Sequence, residues 1–330
     1  MLGVAVRRFR SESFAIAAGL GAVGVLAAVT GAAMSRQYHR SGLAECLASE
    51  APSICDGLTD AFGERFASLQ ILIIPLVLVS ALLGAFVGAP LVARELEHDT
   101  HRFLWTQGVT RRRWFASMTG AALVLALVAG TVYSVIAGLW LDITNQVTDE
   151  RFGRLYDFQG VLPIAAALFA VAVGIAAGLV LRRTLAAMVA TIGVFIVVRF
   201  ATATVLRPNF AAPRTLATTY QPENPLRGTG AWVLSHETVT SDGVVLGTNG
   251  SIDLTGFERS CPGLRGASPM TPPADDFLQQ CLEQLGARSL VRYHPGDRFW
   301  TFQIIESGIM LALAGAAVLI ALRALDRRPL

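Results

Sequence analysis

Long apolar blocks alternate with short polar connectors along most of this chain. Six blocks, Ser13–Met34, Ser68–Ala93, Trp114–Leu141, Val161–Leu181, Thr184–Leu206 and Phe299–Leu322, reach the roughly 20 residues needed to cross a ~30 Å hydrocarbon core. None carries the polar stripe at helical spacing that marks a surface helix of a soluble protein. The pattern predicts an all-α polytopic membrane protein with six transmembrane helices. The first block follows Arg7, Arg8 and Arg10. It is longer than the apolar core of a signal peptide, about 7–15 residues, so it is expected to be a retained helix.

The pattern changes between blocks five and six. WVLSHETVTSDGVVLGTNGSIDL alternates in period two, with turn signals at Asp242-Gly243 and Asn249-Gly250. FLQQCLEQLG then reads as a helix ending at Gly286. A small mixed α/β extracytoplasmic domain is therefore expected at 207–297. It separates helices 1–5 (residues 1–206, with an inner segment at 92–113) from helix 6 and an inner tail (298–330).

Composition sharpens the membrane reading and orients it. Hydrophobic residues make up 53% of the 330, and charged residues only 15% against about 25% in an ordinary globular chain. All 27 basic residues are Arg. With the N-terminus inside, the short inner segments hold thirteen of them (7, 8, 10, 94, 102, 111, 112, 113, 182, 183, 323, 327, 328). The two shorter outer loops hold five (36, 40, 65, 151, 154). By the positive-inside rule the chain is expected to be N-in and C-in. The absence of Lys and the abundance of Ala and Arg suggest a GC-rich bacterial genome, so a multi-pass protein of a bacterial plasma membrane is expected, with lipid around it and no nucleic-acid partner. All four cysteines then fall outside, where disulfides persist. Pairing within each loop, Cys46 with Cys55 and Cys261 with Cys281, is the expected one of three possibilities.

Two formal charges lie inside the blocks, Arg199 in the fifth and Glu306 in the sixth. Each is eight residues from the outer boundary of its helix, about 12 Å deep, which predicts an ion pair. Gln303, one turn from Glu306, is expected to complete the network, either as part of a translocation path or as a structural clamp. Gly84-x-x-x-Gly88 and Gly174-x-x-x-Gly178 allow close helix packing, within the chain or between two copies.

The connector APLVARELEHDTHRFLWTQGVTRRRW (89–114) concentrates charge between helices two and three. Orientation explains its Arg residues but not its acids. His98 and His101 lack further inner His or Cys to complete a metal site, so no metal is expected. A segment that docks a cytoplasmic partner remains. The connector resembles the coupling segment of ABC-2 type transporter permeases, especially those of actinobacteria, with Arg94, Glu95, Glu97 and Thr100 matching and His98 beside them. VRFATATVLRPNFAAP (198–213) and YHPGDRFWTFQIIES (293–307) resemble further parts of that family.

The resemblance implies six helices, a second permease copy (identical or related), and an ABC ATPase subunit that binds ATP and Mg and powers export. This chain would then bind no cofactor and have no catalytic residues. A P-loop requires a lysine, and the chain has none. The uniformly apolar spans suit a hydrophobic or amphipathic cargo. An ion-coupled secondary transporter, which predicts several intramembrane carboxylates, and a membrane-anchored assembly or sensor protein are the alternatives.

Overall fold

A computed structural model describes residues 10–48, 55–70, 76, 78–97, 110–148, 151–153, 155–220, 225–226, 228–248, 251–252 and 275–327. Among these, six helices are long and apolar enough to span a membrane: Ser13–Arg40, Val79–Glu97, Arg111–Val147, Leu162–Leu181, Thr184–Asn209 and Gly296–Asp326. Helices are the outcome physics requires, because lipid offers no hydrogen-bond partners and each segment must satisfy its own backbone. The chain divides into two compact units: 1–148 with 155–207 and 300–330, and 149–154 with 208–299.

In the first unit the fourth span is the central helix. It is apolar on every side, as a helix buried among helices should be, and packs against the second, third and fifth spans. It begins with Pro163 in its first turn, where the missing N–H costs nothing. Its carboxyl end turns sharply through Arg182, whose positive φ of 55° lets the fifth span start at Thr184.

Within the block Ser68–Ala93, Ser68–Gln70 belong to a helix over Asp56–Gln70, and the second span runs from Val79 without a break to Glu97. Arg94, Glu95 and Glu97 are thus helical and continuous with the second span. The remainder of the connector, with His98 and Thr100, lies outside the described residues. The first and third helices run beyond their apolar blocks, to Arg40 and Thr148. Their ends pack around Met34, Leu43, Cys55, Phe62 and Val147. Here Cys46 and Cys55 form a disulfide with Cα atoms 5.9 Å apart. Cys281 is also disulfide-bonded, and Cys261 is outside the described residues.

Among its described residues the second unit holds a five-stranded antiparallel sheet in the order β1-β5-β2-β3-β4. The strands are β1 Arg214–Thr219, β2 Trp232–Val239, β3 Val245–Thr248, β4 Ser251–Ile252 and β5 Arg288–His294. Gly243, at φ 83°, makes the tight return from β2 to β3. A helix over Asp275–Gln284 follows β4 and is ended by Gly286 at φ 59°. Leu246, Cys281, Leu282 and Ala287 form the core beneath.

Candidate functional site

At one end of the first unit, four charges meet in a buried cluster. Arg199 Nη1 donates to Glu306 Oε1 at 2.5 Å, so the pair expected between the fifth and sixth spans is present. Two further residues join it. Arg207 donates to Glu306 from Nε at 2.8 Å and from Nη2 at 3.0 Å. Asp157, in the short loop before the fourth span, receives Arg199 Nη2 at 2.8 Å and also Arg207 Nη2. The cluster is neutral overall, with two cations and two anions. Glu306 has no exposed surface and Asp157 keeps 26% of its side chain open. The Tyr156 ring lies under the Arg207 guanidinium, 4.1 Å from its centroid. Burial alone would push the Asp157 pKa up, but Arg199 and Arg207 outweigh it and hold the carboxyl below its ordinary value.

The backbone explains how two arginines eight positions apart reach one carboxylate. In an unbroken α-helix eight residues turn about 80° past two full turns. Residues Thr202–Leu206 instead form a π-helical turn, which takes more residues per turn and removes most of that offset. Both arginines therefore face the sixth span. Sequence reasoning misses Arg207 and Asp157 because Arg199 and Glu306 already balance each other, and the other two sit in polar surroundings where charge is unremarkable. The spacing of Arg207 from Arg199 is the one available signal.

Gln303 does not enter the charge cluster. Its side-chain oxygen accepts the Leu162 amide at 3.0 Å, and its nitrogen donates to the Tyr156 carbonyl at 3.1 Å. It satisfies one of the open N–H groups at the start of the fourth span, a capping role rather than an electrostatic one.

The glycine motifs meet each other inside the chain. A Cβ on Gly174 would overlap the Gly84 carbonyl, and one on Gly178 would stand 2.6 Å from the Ala89 carbonyl. A Cβ on Gly88 would lie 2.5 Å from the Val171 carbonyl. The second and fourth spans are thus in backbone contact along both motifs. The second span is itself π-helical over Gly84–Gly88.

At the opposite helix ends, Glu97 Oε2 accepts two hydrogen bonds from Thr184, from the amide at 3.1 Å and the hydroxyl at 2.7 Å. Glu97 is exposed, whereas Glu95, two residues earlier, is buried at 7% exposure and Arg94 is exposed. Arg112 and Asp326 pair in a fork at 3.0 and 2.8 Å, joining the third and sixth spans.

Searches of curated proteins and of solved structures returned no match. The sequence pattern of one family, ABC-2 membrane transporter related, matches residues 17–207, which runs from within the first span to near the end of the fifth and stops at the second arginine of the charge cluster. With its six apolar helices the chain is a multi-pass membrane protein, and it belongs to the ABC-2 membrane transporter related family.

Proposed function

We propose that the chain is the membrane subunit of an ATP-driven exporter whose ATPase is a separate polypeptide carrying ATP and Mg. Its termini lie inside and residues 207–297 outside. Two permease copies, identical or related, frame the path of a hydrophobic or amphipathic cargo. The ATPase docks on the segment 92–113, with Arg94, His98 and Thr100 presenting side chains to it. Glu95 and Glu97 serve the chain itself: one is buried and the other is bound to Thr184.

The Glu97–Thr184 junction carries this reading. A push on the connector reaches the fifth span at its first residue. That span runs 15 residues, about 22 Å, to Arg199 and the charge cluster. The second span moves with the fourth because their glycines leave no space between them. Displacement at one membrane face is in this way conveyed to the other, where Asp157, Arg207 and Glu306 hold the third-to-fourth loop, the fifth span and the sixth span together.

A mild-detergent pull-down tests the docking. The intact chain should recover a nucleotide-hydrolysing protein, and Arg94→Glu with His98→Glu should lose it. Arg323→Glu, an exposed charge on the sixth span, should not. Recovery of no such protein with the intact chain sinks the proposal.

A further inference from the structure

The sheet of the second unit treats its two edges differently. Among the described residues, one side ends in β4, a two-residue strand, and short edge strands are a usual defence against unwanted pairing. On the other it ends in β1, six residues long and paired with β5 without a break from Arg214↔Tyr293 to Thr219↔Arg288. The inner strand β2 carries two register irregularities; β1 carries none. Thr215 to Thr219 reads Thr-Leu-Ala-Thr-Thr, with no charge and no proline to blunt the edge.

The direction of each backbone group on β1 follows from one bond. Tyr220 N donates to Ala287 O at 3.2 Å, which continues the β1–β5 register by one pair. In an antiparallel ladder hydrogen-bonded and non-bonded pairs alternate. Thr218, Leu216 and Arg214 therefore aim their N–H and C=O at β5, and Thr215, Ala217 and Thr219 aim theirs away from the sheet. Those three residues are the exposed ones of the stretch after Arg214.

We propose that this edge pairs with β1 of a second copy of the chain, antiparallel and about a twofold axis at Ala217, making one continuous ten-stranded sheet. The outward groups select the register, because bonded pairs need an outward residue on both strands. Ala217 then meets the same residue of the second copy, and Thr215 meets Thr219. Charge selects the orientation. An antiparallel pair sets Arg214 opposite Tyr220 and keeps the two Arg214 side chains about 20 Å apart. A parallel in-register pair would stack them. Self-pairing about a twofold axis is the isologous contact of a homodimer, so this inference rests on the two-copy reading above in its homomeric form.

The test uses the full chain in lipid nanodiscs. No free cysteine exists among the described residues, so a single new thiol reports its own surroundings. Ala217→Cys, treated with a short bismaleimide, should give a covalent dimer of this chain. Val244→Cys, in the exposed turn after β2, should not. Hydrogen exchange should show protected amides at Thr215 and Thr219, and Ala217→Pro should abolish both that protection and the dimer contact. Ala217→Pro removes only an outward N–H, so the β1–β5 ladder survives. Its protected Leu216 and Thr218 amides confirm that the variant is folded. Light scattering that finds two chains per particle, with no crosslink in Ala217→Cys, overturns the edge contact and leaves the two-copy reading standing. One chain per particle overturns both. A crosslink from Ala217→Cys found only to a different polypeptide also overturns the proposal, since the edge would then serve another strand.

Discussion

Glu97 and Thr184 join the second span to the fifth through one carboxylate oxygen that receives both the amide and the hydroxyl of the first residue of a helix. The amide is one of the open N–H groups of that helix end, and a negative charge there is favoured by the helix dipole. The two residues stand 87 apart in the chain, so the bond fixes tertiary structure at an exposed surface.

Replacing Glu97 by Ala should cost about 0.5–2 kcal/mol of stability, the usual range for a lost helix cap. Its effect on work should be larger than its effect on folding. With the proposed ATPase bound, nucleotide hydrolysis should continue while transport per ATP falls. Glu97→Asp, one methylene shorter, should recover part of the ratio, and Thr184→Ser should behave as the intact chain. Equal loss of hydrolysis and transport would show that Glu97 acts only on docking.

The charge cluster changes what a pairwise experiment can reveal. Glu306→Gln leaves Arg199 and Arg207 with Asp157 alone, a net positive charge in a buried site. Removing one member of a buried ion pair costs about 3–5 kcal/mol. Exchanging Arg199 and Glu306 should not rescue the single variants, although the two are in contact. A carboxylate at 199 would face Asp157 and a guanidinium at 306 would face Arg207. Arg199→Met with Glu306→Met, which leaves the Arg207–Asp157 pair neutral, should be more stable than Glu306→Gln. Chemical unfolding in detergent measures the difference. Rescue by the exchange would mean that Asp157 and Arg207 are not part of the cluster.

What the sequence makes legible follows from where polarity is costly. The spans can be read because long stretches without charge have few explanations, and Arg199 and Glu306 because a charge within such a stretch requires a partner. Arg207 and Asp157 do identical work but lie at the polar ends of their segments, where any charge is tolerated. The π-helical turn at Thr202–Leu206, which aims Arg207, carries no residue signature at all. Glu97 reads as a surface for a partner because exposed acids near a membrane usually face solvent. Its bond to Thr184 depends on the fourth-to-fifth turn at Arg182–Arg183, and nothing local to either residue specifies it. Ser68–Ala93 reads as one block because it carries no charge, although Ser68–Gln70 lie in a helix that starts at Asp56.

The glycine seam predicts a sharp contrast among glycines of the same apparent kind. Gly174→Ala and Gly178→Ala put a methyl group against backbone carbonyls that cannot turn aside, so each should cost at least the roughly 1–3 kcal/mol of an overpacked site. Gly193 in the fifth span and Gly308 in the sixth have nothing within 4 Å of an added Cβ. Gly193→Ala and Gly308→Ala should be neutral or slightly stabilising, since Ala is the better helix former. Thermal unfolding of the four variants in one detergent separates the two classes. Four equal midpoints would place the second and fourth spans further apart than the structure has them.

His294 sets a pH dependence on the second unit. The ring has no exposed surface, its Nε2 donates to the Pro208 carbonyl at 3.1 Å, and Arg298 Nη1 stands 3.3 Å from Nδ1. One nitrogen is thus a donor and the other an acceptor, the arrangement of a neutral imidazole. Burial lowers the pKa, the Pro208 bond opposes it, and the Arg298 charge lowers it further, so the net value falls below the ordinary 6.5. The unfolded chain therefore takes up the proton first as pH drops. The neutral ring contributes its full stability above the unfolded value of 6.5, and that contribution is lost as pH falls from there through the folded value. Hydrogen exchange of the β2 and β5 amides in the full chain should quicken as pH falls below 6.5, after correction for intrinsic rates. His294→Gln, which keeps a donor and an acceptor without titrating, should flatten that dependence. A profile that keeps its slope in His294→Gln would assign the transition to another group.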